Sequence, residues 1–161
     1  MLCVLGVAGT LASIFDGLED VAFSASSTHG THYPWHSRLF SSEYSGWEAG
    51  HGTAGEYLQV DLNGEYDVIV VATQGRHNYP RYLTLFKLQY SLDGENFNYV
   101  VDESDTEIEF SGNEDHTTVK YNLLPNAVTA RHVRLEVVAF SIDWPSARWD
   151  LFHYSDGNRK S

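Results

Sequence analysis

Apolar and polar positions along the chain alternate with a period of two. In "EYLQVDL", Leu58, Val60 and Leu62 fall on one side and Tyr57, Gln59 and Asp61 on the other, the alternation of a half-buried strand. "YDVIVVATQG" is almost continuously apolar, which predicts a strand covered on both faces. "LFKLQYS" turns Phe86, Leu88 and Tyr90 inward, and Asp93-Gly94 then leads into "FNYVV" as a hairpin. "TEIEF", "TVKYNLL", "RHVRLEVV" and "RWDLFHY" continue the series, with Gly112-Asn113 and Pro125-Asn126 as turn residues between them. No helical stripe of comparable length interrupts it. The pattern predicts an all-β antiparallel sandwich or jelly-roll barrel. Leu58, Val60, Val70, Phe86, Leu88, Tyr90, Val133 and Leu135 are expected to form one core between two β layers, joined by Trp149 and Phe152. Gly112 is expected to supply a positive-φ turn, with Asn113 and Asp115 bonding the local backbone. Gln59 and Asp61 are expected to face neighbouring strands or loops.

A length of 161 residues with 42% hydrophobic content suits one domain with one core. Its 22 acids against 10 bases, a formal net charge of −12, argue against nucleic acid and against anionic membranes, since both recruit Lys and Arg. The single cysteine, Cys3, excludes an internal disulfide, and no N-x-[ST] sequon is present. Residues 1–15, "MLCVLGVAGTLASIF", read as an N-terminal arm or strand, or as a signal-like segment lacking its basic start. Residues 156–161 read as a frayed tail. No run reaches the roughly 18 apolar residues of a membrane span.

Catalytic patterns are missing: there is no G-x-S-x-G elbow, P-loop or dinucleotide fingerprint. Neighbouring acids such as Asp102 and Glu103 point to opposite faces of a strand and cannot act as a pair. A non-enzymatic role is therefore expected. His29, His32 and His36 have the residue types of a zinc site, but the loop holding them has no helix to align their nitrogens, so exposed loop histidines are the default. Against the acidic background, "ATQGRHNYPRY" gathers Arg76, His77 and Arg81 within six positions.

The succession "SASS", "HSRL", "EYLQVDL", "VATQGR", "KLQYSLDGENF", "FSGNED", "LPNAVTARHVRL" and "RWDLF" resembles the discoidin, or coagulation factor 5/8 type C, family from about Asp16 to Phe152. The resemblance implies an eight-stranded antiparallel jelly-roll, of the galactose-binding-like kind, over residues 16–155. It implies an extracellular binding module, not an enzyme, whose ligand meets loops at one end of the barrel. Those loops would be residues 28–37, 74–81 and 140–144. Tyr33, Trp35, Arg76, His77, Tyr79, Arg81 and Trp144 would then be the ligand-binding residues. Arg76 has a second reading, a clasp that pairs with Glu43 or Glu48 and holds two loops together. Some sugar-binding members hold calcium near these loops, and Asp16, Glu19 and Asp20 in "IFDGLED" are the candidate ligands.

Within the family, "HSRL", "TQGRH" and "SGNED" are most similar to the discoidin domains of collagen-binding receptor tyrosine kinases. This favours an adhesion role toward a protein ligand such as collagen, with a lectin-like role toward a glycan as the alternative and phosphatidylserine behind both. The chain departs from those receptors in having His29 where they carry a Trp and in a shortened second loop, "HNYPRY". The family's terminal disulfide is also missing, because "LFHYSDG" offers Cys3 no partner. Packing must replace a restraint worth about 2–5 kcal/mol.

Overall fold

The computed structural model describes residues 9–155, so Cys3, most of the N-terminal segment and the 156–161 tail lie outside the described residues. Among the described residues nine strands form the fold: β1 (Thr10–Ser13), β2 (Phe23–Ala25), β3 (Trp47–Glu48), β4 (Tyr57–Gln74), β5 (Leu83–Ser91), β6 (Asn98–Tyr99), β7 (Phe110–Ser111), β8 (Lys120–Phe140) and β9 (Ser146–Ser155). All strand pairs are antiparallel. The helical pieces among the described residues are single 3-10 turns at Asp20–Ala22, Pro34–His36 and Glu43–Ser45. The sandwich is the one the alternation predicts, but its strands divide differently. Residues expected as two strands on either side of Asn63-Gly64, and again on either side of Pro125-Asn126, are single long strands here, β4 and β8.

β4 and β8 are long because each serves both layers. In the first layer Leu58 pairs with Leu135 and Val60 with Val133, flanked by β2 through Ala25 and by β5 through Leu88. In the second, Val70 pairs with Leu123 on one side and with Phe152 of β9 on the other. Beyond β9 lie β1 and β3. The register breaks where the strands pass from one layer to the next, between Asp61 and Tyr66 and between Val68 and Val70. At the first break Asn63 takes a positive φ of 58° and its N–H bonds Asp61 Oδ1 at 2.8 Å. At the second, Ile69 alone stands opposite residues 124–127 of β8. Pro125 belongs in such a bulge rather than in a free turn, since it has no N–H to give a ladder.

Six of the expected core residues, Leu58, Val60, Phe86, Leu88, Val133 and Leu135, lie in the central cluster, with Tyr90 half-buried against it. Trp47 and Trp149 are fully buried there, and Phe15 packs edge-on against both Phe23 and Trp149 at 5.1 and 5.0 Å. Each such ring contributes roughly 2–3 kcal/mol of burial. Val70 and Phe152 depart from expectation. Leu151 and Trp149 face the core, so the period of two sends Asp150 and Phe152 to the outer face of the second layer, beside Ala72 and Val70. Val70 is buried on that outer face and Phe152 half-buried.

Gly112 also differs from expectation, since it does not adopt a positive φ. Glycine is required because a Cβ would stand 2.1 Å from the Leu83 carbonyl oxygen, where Gly112 N–H bonds Thr84 O at 2.7 Å. Asn113 reaches further than a local turn, donating to the carbonyls of Thr73 and Thr118, while Asp115 does accept the N–H groups of Thr117 and Thr118. Gln59 and Asp61 face neighbouring strands, bonded by Arg134 and Arg131.

Candidate functional site

The three loops at residues 28–37, 74–81 and 140–144 converge. His29 stacks on Trp144 at 4.9 Å, Arg81 lies 5.1 Å over the same ring, and Ser141 Oγ donates to the Pro80 carbonyl at 3.1 Å. The middle loop is drawn tight by the Arg76 N–H to Arg81 O bond of 2.9 Å, and it is tied to its neighbour by His77 N–H bonding Ser45 O. It starts at Gly75, whose Cβ position lies 2.6 Å from His116 Cα and 2.7 Å from Arg81 O. No side chain fits there. Behind this loop Arg148 is buried and donates to the carbonyls of Gly75, Ser41 and His116; burial in that carbonyl-lined site holds its guanidinium below the usual value.

Pairing of β3 with β9 sets Glu48 opposite Ser146 and so buries it, 1% exposed, beneath the rim. Arg76 Nη1 and Arg81 Nη1 donate to Glu48 Oε2 at 2.9 and 2.8 Å, and Ser146 Oγ donates to the same oxygen at 2.9 Å. His29 Nδ1 lies 3.0 Å from Oε1. Burial alone would raise this carboxyl, but the bonds from Arg81 and Ser146 and the charges of Arg76 and Arg81 outweigh it and hold Glu48 below the usual range. Arg81 also binds Asp143 Oδ2 at 2.8 Å. Two guanidiniums thus face two carboxylates, and the sequence cluster is a neutralised clasp on Glu48, with no partner role for Glu43. Tyr79, 44% exposed, covers the guanidinium of Arg81 at 4.7 Å, and His77 is exposed.

Tyr33 and Trp35 lie apart from that clasp. They stack on each other at 4.5 Å and 15°, and His36 stacks on Tyr44 at 4.2 Å and 12°. Together with Thr31, Arg38, Ser41, Glu43 and Asp20 these rings line a pocket of about 550 Å³. Trp35 is half-buried against the core, so it forms a wall and not a free spike. Tyr44 sits at φ 51°, a conformation that costs a bulky residue about 1–2 kcal/mol; its carbonyl accepts His32 Nδ1 at 2.7 Å. Burial lowers the His36 imidazole below its ordinary value. Nothing in the sequence singles out Tyr44, Glu43 or Arg38 for this pocket: the 3-10 turn at Glu43–Ser45 packs Glu43 and Tyr44 against Pro34–His36, and Arg38 follows Pro34–His36 two residues on.

The metal candidates find other partners. Arg38 donates to the carbonyls of Phe15 and Leu18 at 3.1 and 2.6 Å and reaches Asp20 Oδ1 at 3.3 Å. Asp16 and Glu19 are exposed. Among the described residues no group of three or more His, Cys, Asp or Glu side chains gathers in one place. His29, His32 and His36 are engaged with Glu48, the Tyr44 carbonyl and the Tyr44 ring instead.

Residues 22–151 match the F5/8 type C domain family. The chain is 33% identical over 147 residues to lactadherin of Rattus norvegicus, covering 85% of this chain and 34% of that protein; it therefore spans about a third of that relative's length. Among solved structures it superposes on discoidin II of Dictyostelium discoideum with a TM-score of 0.77 at 18% identity, covering 91% of this chain and 60% of the other. It also superposes on a family 32 carbohydrate-binding module of Clostridium perfringens in complex with galactose, with a TM-score of 0.67 at 14% identity, covering 89% of this chain and all of the other, 100%. The strand order, the three converging loops and these matches lead to one assignment: the chain belongs to the F5/8 type C domain family.

Proposed function

We propose that this F5/8 type C domain is an extracellular carbohydrate-binding module whose ligand seats in the pocket walled by Tyr33, Trp35, His36 and Tyr44. The observation that carries the reading is the pair of stacked ring systems beside Arg38, Glu43 and Asp20 around one cavity of about 550 Å³. A sugar presents an apolar C–H face that packs on a ring and hydroxyls that both donate and accept, so aromatic walls with charged side chains at the edge match its chemistry. The galactose complex of the Clostridium perfringens module supports the same class of ligand on the same fold.

A protein ligand such as collagen has its own supporting observation, the neighbouring surface where exposed Tyr79 lies against Arg81 beside Trp144 and Ile142. Rigid aromatic side chains backed by a neutralised Arg are what protein interfaces use at their centre. Binding of the domain to a glycan array, to triple-helical collagen peptides and to phosphatidylserine vesicles separates these readings. The carbohydrate reading expects glycan binding that Tyr33→Ala weakens about tenfold, the upper end of a stacking contribution, and that Tyr79→Ala leaves unchanged. Collagen-peptide binding lost in Tyr79→Ala and retained in Tyr33→Ala overturns it.

A further inference from the structure

A second cavity, of about 590 Å³, opens on the outer face of the second layer and shares Arg38 with the aromatic pocket. Its floor is Asp150, 8% exposed. Ser13 Oγ donates to Oδ2 at 2.5 Å, and the N–H groups of Phe15 and Leu151 donate to Oδ1 at 3.3 and 2.7 Å. A carboxylate offers about four acceptor positions. Three neutral donors therefore leave one open, on the Oδ2 side. The basic residue of the cavity, Arg38, is committed to the carbonyls of Phe15 and Leu18 and to Asp20. A second carboxylate, Asp16, stands exposed at the mouth.

The walls are aromatic. Tyr121 and Asp150 both pair with Ala72, so they sit in one row across the sheet, and Phe152 contacts Tyr121 at 6.0 Å. Phe40 completes the rim, 69% exposed and held at φ 62°, with its N–H bonded to Gln74 Oε1 at 3.0 Å. A left-handed phenylalanine facing solvent costs about 1–2 kcal/mol and buries little in return. Ring faces attract cations, and a buried carboxylate without a cationic partner favours one.

The geometry points to this cavity as a binding site for an organic cation, a primary ammonium carried on an apolar or aromatic body, with the ammonium on Asp150 and Asp16 and the body between Phe40, Tyr121 and Phe152. Burial that raises the Asp150 carboxyl above its ordinary value agrees with a site lacking its counter-charge. Arg38 lines both cavities, but Asp150, Asp16, Phe40, Tyr121 and Phe152 line this one alone. The ammonium can belong to a free amine or to a lysine side chain of another protein.

NMR titration of the domain with phenethylammonium tests this, with 2-phenylethanol, phenylacetate, calcium chloride and Nα-acetyl-lysine methylamide as parallel arms. The expected result is shifts centred on residues 13–18, 40, 121 and 150–152, with the amine bound at least about tenfold more tightly than the neutral alcohol, the worth of a charge-assisted contact. The lysine derivative binding as well as the aryl amine identifies a protein side chain as the source, and the aryl amine alone a small molecule. Asp150→Asn should abolish the preference for the amine over the alcohol. Should that variant fold poorly, Asp16→Asn and Phe40→Ala, both at exposed positions, should each weaken the amine several-fold without lowering Tm. Equal binding of amine and alcohol, shifts elsewhere, or calcium alone perturbing these residues overturns the proposal.

Discussion

Glu48 and Asp150 are both buried carboxylates on adjoining strands, and their surroundings push them in opposite directions. Glu48 sits under the loop rim with two guanidiniums and a hydroxyl on one oxygen, and it is held in its charged form. Asp150 sits on the outer face of the second layer with neutral donors only, and burial pushes its carboxyl up. The same functional group is therefore a structural anchor in one place and an uncompensated charge in the other. Burial by itself does not decide which; the number of cationic partners does.

The difference can be broken most forcefully at Glu48. Glu48→Gln leaves Arg76 and part of Arg81 without their counter-charge beneath three loops, and the expected loss is about 3 kcal/mol in urea denaturation. An unchanged midpoint would show that the clasp is solvated in solution. Arg81→Met removes contacts to both Glu48 and Asp143 and should cost about 2 kcal/mol, whereas Arg76→Met, with one such contact, should cost about 1 kcal/mol. Reversal of that order would show that the Glu48 site depends on the Tyr79 side of the loop. Asp150→Asn removes a buried charge that has no cationic partner and keeps an amide able to bond the same Ser13, Phe15 and Leu151 groups, so the loss should be about 1 kcal/mol or less.

A pH series sharpens the comparison. Because the folded value of Glu48 is depressed, its contribution is present above the ordinary carboxyl range and is lost as pH falls through the depressed value. Asp150 works the other way. Its raised folded value gives a contribution that is complete below the unfolded value and is lost as pH rises through the folded one. Stability measured from about pH 3 to about pH 7 should fall less on the acid side in Glu48→Gln, and should fall less with rising pH in Asp150→Asn, than in the wild type. Glu56, Asp61 and Asp115 are also depressed by their hydrogen bonds, so the acid-side loss in Glu48→Gln becomes shallower and does not vanish.

Much of the first layer was legible because alternation is a local property. Leu58 and Val60 in β4 and Val133 and Leu135 in β8 carry the period of two over strands flat enough to keep it. Legibility failed where the strands change layers. Pro125-Asn126 looks like a turn locally and is a bulge inside β8, because Ile69 and its neighbours fix the partner register from elsewhere in the chain. Phe152 looks like core because it is large and apolar; the phase set by Trp149 and Leu151 sends it outward.

The site divides in the same way. The three rim loops and the alternatives for Arg76 could be named from residue types and family resemblance, but the choice of Glu48 over Glu43 depends on β3 pairing with β9, a contact across 98 residues of chain. Separation of Tyr33 and Trp35 from the arginines, and the union of those rings with Tyr44 and His36, follow from how two 3-10 turns pack. By itself the sequence determined the all-β class, the strand faces, the acidic balance and the membership of a binding-domain family, because periodicity, charge and local motifs act over a few residues. Only the tertiary structure decided which charges are neutralised, which rings share a pocket and which buried acid lacks a cationic partner, because those depend on distances between side chains that the chain brings together only after its strands have found their register.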